Sequence, residues 1–361
     1  MTSRRTLIVG ACALALLPVI SMADEAPATA ALPSAVQAME FIYDEAPYPQ
    51  SHASTIVQTR TGTIAAAWFG GTHERHPDVE IWFARMEGDG WGTPVSVADG
   101  VQADGSRLPT WNPVLFQEPA GRLMLFYKVG PSPQEWWGML LTSDDDGATW
   151  SEPTRLPDGV LGPIKNKPVI LADGTWLSPS STEVADGGGW TMHFERSTDA
   201  GRNWTVIPVA EQAHVFDAIQ PSVLFLPDGR LEAVARTRQG VVAATFSTDN
   251  GLSWSAPMPV DLPNPNSGTD AVTLADGRQL IVYNHSAHSP QTPGKGVRYP
   301  INIGLSDDGV RWRNALTLED APLQHGYAYP AVVQARDGMV HITYTYDRRR
   351  IRHVVVDPAR L

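Results

Sequence analysis

The 361-residue chain holds a single cysteine, Cys12. One thiol near the start of a chain cannot form an internal disulfide, and no His/Cys/Asp grouping has the spacing of a zinc site. No metal or other cofactor is expected. Basic runs are missing before Arg348-Arg349-Arg350, and the net charge is −12. Phosphate binding needs clustered Lys and Arg, so nucleic acid is not an expected partner. The apolar stretch Leu7 to Leu17 is shorter than the ~20 residues a membrane-spanning helix needs, so no membrane span is expected. Helical periodicity is almost absent too, which points to an all-β chain.

The first residues have the layout of an export signal. Arg4 and Arg5 precede the apolar stretch, and Ser21-Met22-Ala23 forms a small-residue cleavage site. Residues 1–23 are therefore read as a signal peptide, residues 24–39 as an Ala- and Pro-rich linker, and residues 40–361 as the folded domain. Ser3 to Ile8 also resembles a twin-arginine signal, so the secretory and twin-arginine routes both stand. Either route implies a periplasmic or secreted protein. Cys12 would leave with the signal, and a monomer is expected.

Two turn signals recur through the remainder. A glycine turn joins pairs of short alternating apolar runs at Gly62, Gly121, Gly174, Gly229, Gly277 and Gly338. Each is a hairpin signature. The second signal is Ser-x-Asp-x-Gly-x-Thr-Trp, at Ser143 to Trp150. It returns at Ser197 to Trp204 and Ser247 to Trp254, is shortened at Ser306 to Trp312, and is worn at Gly88 to Trp91. Aspartate bonds turn amides, glycine supplies φ > 0, and tryptophan packs between sheets. Two hairpins per repeat make a four-stranded sheet that cannot bury both faces alone. Six such sheets in a ring form a six-bladed β-propeller. The sixth repeat needs a strand from the N-terminal side to close the ring, and Ser54 to Thr59 is the candidate.

The second motif resembles the Asp-box, or bacterial neuraminidase repeat, of the sialidase superfamily, over about residues 40 to 361. The Asp-boxes themselves are read as structural. The resemblance implies a central site in which arginines hold a substrate carboxylate, a tyrosine is the nucleophile, a glutamate activates it and an aspartate is the acid–base. Matched position by position, the tyrosine falls on Tyr329 and two of the arginines on Arg236 and Arg298. The acid falls on Asp78, with Glu74 as the alternative. Two slots depart from the pattern: His52 stands where the first arginine is expected, and Gln220 where the glutamate is expected. A phenol without its base is a poor nucleophile at neutral pH.

The substrate implied is a glycan or oligosaccharide with a terminal carboxylate-bearing sugar, cleaved by sialidase-like hydrolysis. His52 and Tyr329 as an acid–base pair would instead suit β-elimination from a uronate glycan such as rhamnosyl-glucuronate. A non-catalytic glycan-binding propeller is the third reading. Arg238 shares a strand face with Arg236 by period-two alternation, so both or neither face the site. Lys165 and Lys167 open the third repeat, where a mouth-facing position and a surface loop are both open; Lys167 is carried as a substrate contact. His285, at the end of the fifth repeat's inner hairpin, is a further candidate contact. Arg348 to Arg350 are read as a solvated turn.

Overall fold

The computed structural model describes residues 32–119, 121–184, 189–210, 216–288 and 294–361. The signal and the first half of the linker lie outside the described residues. Six antiparallel sheets follow one another along Ser34–Leu361. Blade 1 runs through Gln50–Gln58, Ile64–Gly71, Glu80–Glu87 and Val95–Ala98, with the short Gly90–Trp91 piece beside it. Blade 2 uses Thr110–Gln117, Leu123–Val129, Trp137–Ser143 and Thr154–Arg155. Blade 3 uses Val169–Ile170, Trp176–Glu183, Trp190–Ser197 and Thr205–Pro208. Blade 4 uses Ala218–Phe225, Leu231–Thr237, Val241–Ser247 and Met258–Pro263. Blade 5 uses Asp270–Thr273, Gln279–Asn284, Ile301–Ser306 and Arg313–Glu319. Blade 6 uses Tyr327–Gln334, Val340–Tyr346 and Arg350–Val356, and the fold is the expected six-bladed β-propeller.

Ring closure differs from expectation. The fourth strand of blade 6 is Val36–Phe41, which pairs antiparallel with Arg350–Val356. Ser54 to Thr59 instead belongs largely to the inner strand of blade 1, paired with Ile64–Gly71. Burial explains the exchange. Residues 51–57 are buried on both faces, as an inner strand must be, whereas Val36–Phe41 is mostly half-exposed and suits a blade's outer edge. The domain therefore starts before residue 40, and Val36 to Met39 are propeller rather than linker.

All six predicted glycine turns join the first and second strands of their blades, and their φ angles lie between +82° and +118°. The Asp-boxes join third and fourth strands. In blade 2 the Asp145 carboxylate accepts from the Thr149 amide at 2.8 Å and from its hydroxyl at 2.7 Å, while Ser143 Oγ accepts from the Gly147 amide at 2.8 Å. The Thr149 hydrogen bonds hold the Asp145 carboxyl down at about 2, and Asn203 does the same for Asp199. The motif tryptophans reach back to the preceding blade: Trp150 meets Phe83 edge-on at 5.3 Å, and Trp254 stacks on Phe194 at 3.9 Å. Successive strands alternate in direction. Asp-box turns therefore lie on the face opposite the loops between second and third strands, which frame the site.

Candidate active site

Four inner strands are interrupted at the same place. Register shifts fall at His52/Thr55, Trp111/Val114, Ile219/Ser222 and Ala328/Ala331. At each bulge one residue is left-handed: Ala53 (φ 57°), Asn112 (38°), Gln220 (59°) and Tyr329 (51°). Bulges of this kind re-aim side chains beside active sites. Three of the four precede proline, which favours extended backbone, so the tertiary surroundings impose the left-handed value.

Gln220 and Tyr329 meet at the axis. The Tyr329 hydroxyl oxygen accepts from Gln220 Nε2 at 3.3 Å and from Arg236 Nη1 at 3.1 Å. Arg236 Nη1 also donates to Gln220 Oε1 at 3.2 Å. The rest of that guanidinium is held by Asn266, whose Oδ1 accepts from Nη2 at 2.7 Å and whose backbone oxygen accepts at 3.0 Å. The His52 ring packs 4.3 Å from the Tyr329 ring, and its Nδ1 lies 3.0 Å from Thr345 Oγ1.

The field around this cluster is positive. Burial pushes the His52 pKa well below its ordinary value, and Arg348, Arg298, Arg236 and Lys165 push it the same way, so the ring is neutral at physiological pH. Burial and Arg236 together lower Arg298 to about 10. No hydrogen-bond partner of the Arg298 side chain occurs among the described residues, and two cavities share it. One, about 630 Å³, is lined by Trp190, Arg236, Arg238 and Lys295 among others. The other, about 350 Å³, includes Arg348 and His325.

Of the sequence candidates, Tyr329, His52, Arg236, Gln220 and Arg298 thus come together, and Arg238 shares the larger cavity with Arg236 and Arg298. Asp78 lies in the loop between the second and third strands of blade 1. Burial raises its pKa, but the Thr72 hydroxyl and amide and the His76 ring outweigh that and hold it ionised. Lys167 is a correction. Its ammonium is held by both oxygens of Asp270, at 3.0 and 2.9 Å, and by the Ala271 carbonyl, so it is a strut of the ring rather than a free cation. His285 is exposed and bonds to the Tyr283 hydroxyl, with no contact to the Tyr329 cluster.

Several residues take positions that the sequence left open or read differently. Arg348 is not a solvated turn residue: its Nη1 donates to Glu74 at 2.7 Å, joining blade 6 to blade 1 beside Arg298. Lys165 crosses the axis from blade 3, donating to Pro330 O at 2.6 Å, Thr269 O at 2.9 Å and Asn166 Oδ1 at 2.8 Å. Asn166 donates to the Gln220 carbonyl at 2.8 Å. One signal was available: Asn112-Pro113, Gln220-Pro221 and Tyr329-Pro330 recur about two repeats apart and mark the bulges.

Comparison with known proteins bears on the family and the fold. The chain is 27% identical to an anhydrosialidase of Macrobdella decora over 56% of its length, covering 28% of that protein. It is also 27% identical to a sialidase of Bacteroides fragilis (strain YCH46), over 48% of this chain and 33% of that one. The chain thus spans about a third or less of the curated relatives it matches. Among solved structures, a protein of unknown function from Dyadobacter fermentans superposes with a TM-score of 0.71 at 16% identity, over 89% of this chain and 98% of that one. The intramolecular trans-sialidase of Ruminococcus gnavus, in complex with oseltamivir carboxylate, gives 0.69 at 14% identity, over 89% and 97%. The model of the BNR repeat-like domain matches residues 62–342, and the chain belongs to that family, within the sialidase superfamily.

Proposed function

We propose that the protein binds a carboxylate-bearing sugar of a glycan in the axial pocket and breaks the glycosidic bond beside it, with Tyr329 as a reacting group. The preferred route is β-elimination from a uronate. The observation that carries it is the Tyr329 hydroxyl itself. It meets two N–H donors, from Gln220 and Arg236, and a neutral imidazole packs on its ring. A sialidase-type nucleophile needs a carboxylate to take its proton, and Gln220 cannot do so. Two donors on a phenol oxygen instead stabilise the negative charge left when that phenol gives its proton away.

In this route Arg298 anchors the carboxylate, and neutral His52 takes the proton on the carbon bearing it. The carbon–carbon double bond forms as the bond to the leaving oxygen breaks, and that oxygen receives the Tyr329 proton. No water is consumed. Sialidase-type hydrolysis is the second reading, favoured by Asp78 at the family's acid position and by the named relatives.

One substitution separates the routes. Gln220→Glu places a carboxylate beside Tyr329. Under β-elimination it repels the substrate carboxylate and lowers kcat/KM by tenfold or more; under hydrolysis it restores the missing base and raises the rate. Reactions with oligosaccharides whose glucuronate carries a sugar on its 4-oxygen, such as rhamnosyl-glucuronate, and with sialylated oligosaccharides, followed by the near-ultraviolet absorbance of an unsaturated uronate, check the assignment. Cleavage without that chromophore, with a faster Gln220→Glu enzyme, overturns the elimination route. Binding without turnover of either substrate would leave a glycan-binding propeller.

The carboxylate anchor gives its own expectation. Arg298→Ala should lower kcat/KM more than tenfold, about 1.4 kcal/mol or more, through KM as well as kcat. An unchanged value on an acidic substrate, measured by initial rates, would remove Arg298 from the site.

A further inference from the structure

The cavity of about 630 Å³ holds more positive charge than one carboxylate uses. Among the described residues its lining contains Arg236, Arg238, Lys295 and Arg298 and no carboxylate. Arg236 and Arg298 lie at the Tyr329 end. Arg238 follows Arg236 by two residues, just past the end of its strand, and extended backbone puts such neighbours about 6.6 Å apart. Both guanidiniums lie over the indole of Trp190, with Arg238 Cζ at 4.0 Å from the ring centroid and Arg236 Cζ at 5.1 Å. Cation–π stacking orients a guanidinium with its N–H edge outward.

Among the described residues the flanking acids leave Arg238 largely available. Asp217 approaches it through one oxygen at 3.9 Å, both side chains are about a third exposed, and the other Asp217 oxygen accepts from the Trp190 amide. Glu183 also feels Arg236 and Arg238, but burial is its largest influence and raises its pKa. Asp217 therefore steadies Arg238 in place, in the solvent-facing geometry where ion pairs are weak.

We infer that Arg238, stacked on Trp190, forms a second anion subsite that receives a sulfate ester or second carboxylate on the sugar next to the reacting one. The substrate is then a polyanionic glycan, with one acidic group at Arg298 and another a sugar's reach away at Arg238. This rests on the reading of the Arg298 end as a carboxylate site. A fork of N–H groups with a fixed plane suits either tetrahedral sulfate or planar carboxylate.

The test uses single sugars, so that each subsite is read separately. Binding of galactose 6-sulfate, galacturonate and neutral galactose is measured by calorimetry on Arg298→Ala, where the first anion site is disabled, and on Arg298→Ala/Arg238→Ala. The expected result is binding of at least one acidic sugar but not galactose by the single variant, weakened at least tenfold in the double. Preference between the two acidic sugars names the anion. Equal binding by both variants, or none by the single variant when circular dichroism shows it folded, overturns the subsite. Methyl glucuronide on Arg238→Ala and on Arg298→Ala/Arg238→Ala, in both of which the second site is disabled, reports separately on the first site. If its affinity ignores Arg298, the carboxylate reading of the Tyr329 end fails, while the Arg238 comparison stands on its own.

Discussion

Tyr329→Phe is expected to lower kcat at least a thousandfold, about 4 kcal/mol of transition-state stabilisation, with little change in folding. The hydroxyl is the one atom that both Gln220 and Arg236 address, and either chemical route passes through it. The ring is retained, so the 4.3 Å packing on His52 remains. Arg236 keeps Asn266 and Gln220 as partners, so its guanidinium is not stranded in the pocket. KM should move far less than kcat, since the substrate carboxylate is assigned to Arg298. Initial rates across substrate concentrations, with a thermal melt as a folding control, check this. A phenylalanine enzyme that keeps more than a tenth of wild-type kcat would show that Tyr329 is a wall of the pocket and not a reactant.

A second large effect lies far from the chemistry. Glu232, in the second strand of blade 4, is fully buried, and neither carboxyl oxygen has a hydrogen-bond partner among the described residues. It packs against Gly309 in the Asp-box turn of blade 5, where a Cβ would collide with its carboxylate. Burial raises its pKa to about 8, opposed by Arg230 and reinforced by Asp308. Below the unfolded-state value of 4.5 the group is protonated in both states and carries no ionisation penalty. As pH rises from there toward 8, the unfolded chain ionises while the folded one stays neutral, and stability falls by about 1.4 kcal/mol per pH unit. Glu232→Gln removes this dependence. It should leave stability unchanged near pH 4 and raise it by roughly 3 kcal/mol at pH 7, several degrees in Tm. Melts from pH 4 to pH 8 test it. A gain that is the same at every pH would mean that repacking, not ionisation, is responsible.

The sequence was most legible where structure is local. A glycine at φ > 0 and an aspartate bonded to amides four residues on need only their neighbours in the chain. The six glycine turns and the Asp-boxes therefore gave the blade count and the all-β class directly. Likeness to the family's pattern then located Tyr329, Arg236, Arg298, Gln220 and His52, whose side chains do converge. Strand order at the seam was not legible. The choice between Val36–Phe41 and Ser54 to Thr59 depends on which run is buried on both faces, and burial is a property of the closed ring.

The same limit applies to the site. Lys167 and Lys165 look alike in the sequence, but Asp270 of blade 5 claims one, while three acceptors of blades 3, 5 and 6 bury the other beneath Tyr329. Arg348 reads as part of a basic surface turn until Glu74, 274 residues away in the chain, pairs with it at the rim. Turn chemistry and alternation, which act over a few bonds, were determined by the sequence alone. Which charges meet, which stay neutral and which remain available to a substrate was decided by the tertiary structure, because those properties depend on burial and on partners that only ring closure brings together.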